Sequence, residues 1–351
     1  MKPPPRDFGY FLSLVPSLLA IFGNLVGGYW TLSNIVFTAV ILTLLDWLTR
    51  EDTRSPEPQP AFLFDVILAL HVLTHTLAIG TLIYGVASGT LTGAFVWFAA
   101  VAVGLNSGTS GIIVAHELMH REEKSWQWAG IWNLILVGYA HFMIEHIKGH
   151  HKNIATSQDS VTARFGEDAY SFAMRAVGCE WRGAWHHETA RLKKRGKPVF
   201  SLHNFIVVTG LIELVLLAGV TSMFGWAVFF VVVMQAIIGV FLLQLTSYLE
   251  HYALERQTGA KVDGSHAWQT DKTFTRFVLL ELSRHSDHHV IASRPFHTLV
   301  SNPESPKLPT GYLGLLPVLL VPPVWFKLIH PRLITAKAAS KAAREGLGIT
   351  E

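Results

Sequence analysis

The chain has 351 residues, 50% of them hydrophobic and 15% charged, with a mean hydropathy of +0.35 and a formal charge of +3. Soluble domains carry about 25% charged residues, so this composition argues against ordinary soluble domains; the small charge, with no basic-aromatic stripe, also argues against a nucleic-acid binder. A single cysteine, Cys179, excludes an internal disulfide, and the lack of any Cys-x-x-Cys pair excludes a built-in rubredoxin or iron–sulfur module.

Taken in chain order, a polar, Pro-rich start is followed by an apolar run at 10–27, "YFLSLVPSLLAIFGNLVG". No Ala-x-Ala cleavage signal follows it, so it reads as a membrane span and not as a signal peptide. A second run, 31–48, comes at once. Gly27 and Gly28, followed by Tyr29 and Trp30, read as a tight turn with aromatic anchors at the membrane surface. "TREDTRSPEPQP" (49–60) is a charged loop. Runs at 62–86 and 91–115 are each long enough to cross about 30 Å of hydrocarbon. The shorter piece 128–144, with Trp126, Trp128 and Trp132 around its start, reads as an interfacial or re-entrant helix. Residues 145–203 hold ten Lys or Arg against six Asp or Glu, which places them in the cytoplasm. Runs near 204–222 and 225–248 complete six spans. The polar segment 249–311 follows, then an interfacial piece at 312–329 carrying Pro317, Pro322 and Pro323, then a basic, Ala-rich helical tail at 331–351. The expectation is an all-α, polytopic protein of one domain, 1–351. Both termini and the polar segments 116–203 and 249–311 are expected on the cytoplasmic face of a bacterial inner membrane.

Histidine is the unusual residue: there are 18, and imidazole is costly in a bilayer. Nine fall into four groups. His116 and His120 stand in "AHELMHRE", and His146, His150 and His151 in "EHIKGHH". His251 stands in "YLEHYAL", and His285, His288 and His289 in "SRHSDHH". The pairs 116/120, 146/150 and 285/289 have the spacing that places two side chains on one helix face, so each pair is expected to aim at one point. His116 and His251 each end a span, which lets all four groups meet at one membrane face. His-Glu-x-x-His alone is the zinc-peptidase signature, but one zinc takes three or four ligands. Nine imidazoles suit two metal ions with four or five each, and imidazole accepts zinc, copper, iron or nickel. Glu117, Glu145, Glu250 and Asp287 each stand beside a histidine of these groups. They are candidates to orient imidazoles through the second ring nitrogen. His71, His75 and His141 read as packing or interhelical contacts, His186 and His187 as surface, and Trp30 and Trp47 as interfacial anchors. "RLKKRGK" (191–197) reads as a lipid-facing basic patch, with docking of an acidic electron donor as a second reading.

Together "HELMHR", "EHIKGHH" and "SRHSDHH" resemble the three His boxes of the membrane-bound alkane monooxygenase family, which includes xylene- and cymene-type hydroxylases. "YLEHYAL" resembles that family's fourth motif. "LLDWLTRED" (44–52), "NIATSQDSVTARFGE" (153–167), "PTGYLGLLPV" (309–318) and "VPPVW" (321–325) extend the resemblance over nearly the whole chain. The resemblance implies a non-haem di-iron enzyme of hydrocarbon degradation. It would use O2 to hydroxylate the terminal methyl of a medium- or long-chain n-alkane, with electrons from a rubredoxin or ferredoxin-type protein and its reductase. It also implies His116, His120, His146, His150, His151, His251, His285, His288 and His289 as ligands of two iron ions. Aryl-methyl hydroxylation and fatty-acyl desaturation or hydroxylation are the alternative activities. The chain departs from the alkane hydroxylase pattern at Ala253, where glycine is usual, and at Ser283, where glutamine is usual; both bear on the substrate subgroup. A His-rich metal transporter would instead string its histidines along the spans.

Overall fold

The structure, a computed structural model, describes residues 6–56 and 61–346; positions 57–60 of the predicted loop and 347–351 of the predicted tail lie outside the described residues. Among the described residues there is no sheet, only the isolated bridges Glu51–Lys272 and Gln269–Lys307. The first four spans are α1 (Phe8–Val26), α2 (Gly28–Leu48), α3 (Ala61–Ala87) and α4 (Ala94–Met119). Then come α5 (Lys124–Ile135), α6 (142–153) and α7 (Ala169–Lys194). The last two spans are α8 (Phe205–Phe224) and α9 (Trp226–His251). Two short helices, α10 (His285–Val290) and α11 (Tyr312–Leu319), and a long one, α12 (Pro322–Gly346), follow. The protein is thus an all-α, multi-pass membrane protein, and among the described residues six helices are long and apolar enough to cross a bilayer.

Glycine makes the reversals. Gly27 (φ +75°) ends α1, its N–H bonded to the Gly23 carbonyl at 2.9 Å, and Gly225 (φ +87°) turns α8 into α9. Left-handed backbone is free for glycine alone. Apolar side chains left exposed on α8 and α9, such as Leu214, Val215 and Ile237, are the surface that hydrocarbon would cover. The apolar piece expected as one helix over 128–144 is in fact two. α5 stops at Ile135, and the chain turns through Gly138 (φ +64°) before α6 starts. The piece at 312–329 likewise splits before Pro322 and Pro323, which open α12.

Inside the bundle, α4 packs directly on α9 through small residues. A Cβ placed on Gly104 or Gly108 would sit 2.6 Å from Ile238 or Leu242. Close backbone approach over small side chains is how helices pack without a hydrophobic driving force in lipid. As the fourth and sixth spans, α4 and α9 run in the same direction, so His116 and His251 reach the same end of the bundle. The segments after α9 are pinned to that end from below. Asp46, at the end of α2, accepts from the backbone N–H of Thr275 at 3.1 Å and of Gly314 at 3.0 Å. The hydroxyl of Tyr10, in α1, donates to Glu281 at 2.6 Å.

Ala253, two residues past α9, is left-handed (φ +54°), buried, and bonded through its N–H to the Ala163 carbonyl at 2.9 Å. Glycine, usual at this position in the pattern the chain resembles, would adopt this backbone without strain. Relief of about 1 kcal/mol of strain is opposed by glycine's unfolded-state entropy, so Ala253→Gly is expected to leave the thermal midpoint in detergent unchanged or slightly raised. Ala253→Val adds bulk in a packed site and a β-branch in a left-handed backbone, and is expected to cost about 2 kcal/mol or more. A valine variant as stable as the parent would contradict this reading.

Candidate metal centre

Four elements bring the nine histidines together. α4 presents His116 with His120 at its end; α6 presents His146, His150 and His151; α9 ends in His251; α10 carries His285, His288 and His289. They form two groups: His116, His120, His146, His151 and His288, and His150, His251, His285 and His289. Within each group the candidate ligand atoms all lie within 4.8 Å of one another.

Spacing alone does not sort them. Residues 146–150 form a π-helical turn, one residue wider than an α-turn. His146 therefore meets His151, with 2.9 Å between their Nε2 atoms, and His150 swings into the other group, 3.2 Å from His289. The expectation that 146 and 150 aim at one point is not met, because it assumed an α-helix. On α10, His285 and His289 stay together at 2.8 Å, and His288, on another face of the short helix, joins the first group.

The donor atoms fit metal ions. Further Nε2–Nε2 separations are 3.1 Å for His120–His146, 3.2 Å for His120–His151 and 3.2 Å for His251–His285. Two nitrogens at right angles around an ion about 2.1 Å away stand roughly 3 Å apart. His116 Nε2 and His288 Nε2 are buried with no hydrogen-bond partner, a costly state for polar atoms unless something binds them. Burial, then neighbouring imidazoles, hold His146, His151, His285, His288 and His289 well below the ordinary imidazole value. They are neutral near pH 7, the form that binds metal.

The carboxylates singled out from sequence divide. Glu117 turns away to Arg121 (3.2 Å) and the Phe296 N–H (3.3 Å), and Asp287 to Arg294 (2.5 Å) and the Val300 N–H (3.0 Å). Both fasten the chain around the site. Glu145 accepts from Ser160 Oγ at 2.8 Å, and a Cβ at Gly149 or Gly183 would overlap its carboxylate. Glu250 lies 3.3 Å from His285 Nε2. A residue the sequence reading did not single out is Asp159, whose two oxygens each lie 3.1 Å from His150 Nδ1. The His266 carbonyl faces His251 Nδ1 at 3.4 Å. Such partners fix the tautomer and aim of a ligating imidazole.

A cavity of about 520 Å³, counting its open mouth, lies against both groups. Gly108, Ile112, Phe142, Leu243 and Leu282 give it an apolar wall, and His116, His146, His150, His285, Glu145, Glu180 and Glu250 face it as well. Glu180, from α7, is buried and accepts from Tyr139 Oη and Gln244 Nε2, each at 2.7 Å. Burial pushes its carboxyl up to about 7 against the pull of those two hydrogen bonds. The fold thus favours the protonated acid. Its contribution to stability is complete below about pH 4.5 and is lost as pH rises toward 7, by at most about 3 kcal/mol. Glu180→Gln, isosteric with the neutral acid, is expected to flatten the fall in thermal midpoint across that window. An unchanged pH slope would refute the assignment.

The remaining histidines lie elsewhere. His71 bridges Ser13 and Ser110 at 2.7 and 2.6 Å, and His75 meets Ser107 at 3.1 Å, both as contacts between spans. His141 packs on Tyr139, and His187 is part-exposed, 3.9 Å from Glu145. Trp30 and Trp47 are exposed and do not line the cavity.

Six membrane helices with two histidine groups at one end of the bundle define a polytopic, metal-binding membrane protein. The family model for fatty acid desaturase matches residues 91–314. Alkane 1-monooxygenase 1 of Pseudomonas aeruginosa is 35% identical over 348 residues, covering 93% of this chain and 91% of that protein. Alkane 1-monooxygenase of Pseudomonas putida is 33% identical over 311 residues, covering 84% and 76%. The xylene/toluene monooxygenase hydroxylase component XylM of Pseudomonas putida is 28% identical over 326 residues, covering 91% and 87%. The chain belongs to the alkane 1-monooxygenase family and is an enzyme of the monooxygenase class.

Proposed function

We propose that the protein hydroxylates the terminal methyl of a medium- or long-chain n-alkane to the 1-alkanol, at two iron ions held by its nine clustered histidines. The observation that carries this reading is the convergence of two all-imidazole groups on one largely apolar cavity. His116, His120, His146, His151 and His288 would hold one ion, and His150, His251, His285 and His289 the other. Iron held there supplies the redox chemistry that lets dioxygen react with an unactivated C–H bond. One oxygen atom would enter the product and the other leave as water, which takes two electrons from a rubredoxin- or ferredoxin-type donor and two protons from solvent.

The chain's own residues bind, aim and shield. Ile112, Phe142, Leu243 and Leu282 hold an apolar chain by burial alone, worth about 0.8 kcal/mol per methylene. The same wall keeps bulk water from the reacting carbon. Asp159 holds the His150 ring in one orientation. The substrate enters from the bilayer, and the charge excess of 145–203 supports a cytoplasmic location for the histidine end in a bacterial inner membrane. The whole chain acts as a single hydroxylase domain.

The test is turnover in cells supplied with a rubredoxin and its reductase and fed octane, hexadecane or p-xylene. 1-Octanol or 1-hexadecanol is the expected product. Oxidation of p-xylene alone would move the assignment to aryl-methyl hydroxylation, the reading that similarity to XylM favours. Oxidation of none of them would sink both.

A further inference from the structure

We propose that Glu250 supplies a fifth donor, a carboxylate oxygen, to the four-imidazole group. The two ions then sit in unlike surroundings, five nitrogens around one and four nitrogens with one oxygen around the other. This rests on the two-iron reading above.

The first observation is which nitrogen Glu250 approaches. A carboxylate that only orients a ligating imidazole sits at the ring nitrogen pointing away from the metal, as Asp159 does at His150 Nδ1. Glu250 Oε2 lies instead 3.3 Å from His285 Nε2, the nitrogen that faces His251 and His289 at 3.2 and 2.8 Å. His285 Nδ1, on the other side of the ring, is buried without a partner. Glu250 is therefore on the inward side, at the separation expected of two donors sharing an ion at about 2.1 Å.

The second observation is the state of the carboxylate. Glu250 is 3% exposed, and the buried Tyr312 hydroxyl beside it offers a neutral hydrogen bond and no positive charge. Glu117 and Asp287 meet Arg121 and Arg294, but among the described residues no Lys or Arg forms an ion pair with Glu250, and the imidazole beside it, His285, is neutral near pH 7. A buried carboxylate without a cation is costly. A metal ion at the four-imidazole group would supply that cation, and neutral imidazoles leave the ion's charge free to be offset. The third observation is the count: five donors stand in one group and four in the other, and Glu250 brings the second to five.

Glu250 also lines the cavity beside His150 and His285. The carboxylate thus shares with His150 and His285 the side of the four-imidazole group that faces the space for substrate.

The test uses purified full-length protein, stripped of metal and reconstituted without oxygen with 57Fe(II). Wild type is compared with Glu250→Gln and Glu250→Asp by iron content and Mössbauer spectroscopy. Wild type is expected to bind two ions and give two quadrupole doublets of equal area. In each variant one doublet stays unchanged, the other shifts, and affinity for the second iron equivalent falls at least about tenfold. Glu250→Asp keeps the charge but shortens the reach, so a charge acting only at a distance would leave both doublets in place in that variant. Thermal unfolding of the metal-free proteins checks the fold in each case. Variants that keep both doublets and wild-type affinity would overturn the proposal. A wild type that binds fewer than two ions would overturn the two-iron reading beneath it.

Discussion

Replacing His285 with alanine is expected to lower alkane hydroxylation by at least about 100-fold and to leave roughly one of two iron ions in place. Even partners one step removed from a metal act on that scale. The ring stands at the centre of its group, 3.2 Å from His251 and 2.8 Å from His289, and no spare imidazole can replace it. His116, His120, His146, His151 and His288 form a separate group, so the other ion should persist. Adjacent residues give the sharpest contrast: His150→Ala should empty the same group as His285→Ala, and His151→Ala the other. Iron per chain and Mössbauer spectra read this directly. A His285→Ala protein with full iron and full turnover would contradict the grouping.

The second large effect is expected at Arg284, which is fully buried directly before His285. Its guanidinium donates to Asp271 at 3.1 Å, to the Leu299 carbonyl at 2.7 Å and to the Asp52 and Arg54 carbonyls at 3.1 Å each. One side chain thus ties the loop after α2 to the segment that carries three of the nine histidines. Arg284→Met removes one partner of a buried ion pair, which costs about 3–5 kcal/mol, together with the hydrogen bond to the Leu299 carbonyl and the two that reach the loop after α2. The expected result is a fall of about 10 °C in thermal midpoint, with iron lost from both groups, since α10 feeds both. Arg284→Lys should not rescue it, because an ammonium cannot reproduce the planar fork. A methionine variant within about 1 °C of wild type would count against this network.

Composition and hydropathy were enough to read six membrane helices, because a bilayer imposes length and apolarity on every span. The histidine groups were legible because four clusters at the ends of apolar runs share one address. Their partition was not legible. A π-turn leaves no mark in a 3.6-residue pattern, and it alone parts His150 from His146. Asp159 was not legible either, because it reaches His150 through a loop, across a separation with no fixed register. Glu180 lies midway along α7, where an acidic residue on an amphipathic helix looks like solvent-facing charge until the fold buries it. Glu117 shows the reverse case. The peptidase-like pattern would make it the base that activates water, yet its carboxylate turns from the histidines to Arg121 and the Phe296 amide.

The most direct measurement is turnover of octane under 18O2 by the purified protein with a rubredoxin-type electron donor, followed by mass analysis of the alcohol. The predicted result is 1-octanol carrying one 18O atom. An alcohol whose oxygen comes from water, or no oxidation of octane by iron-loaded protein, would contradict it.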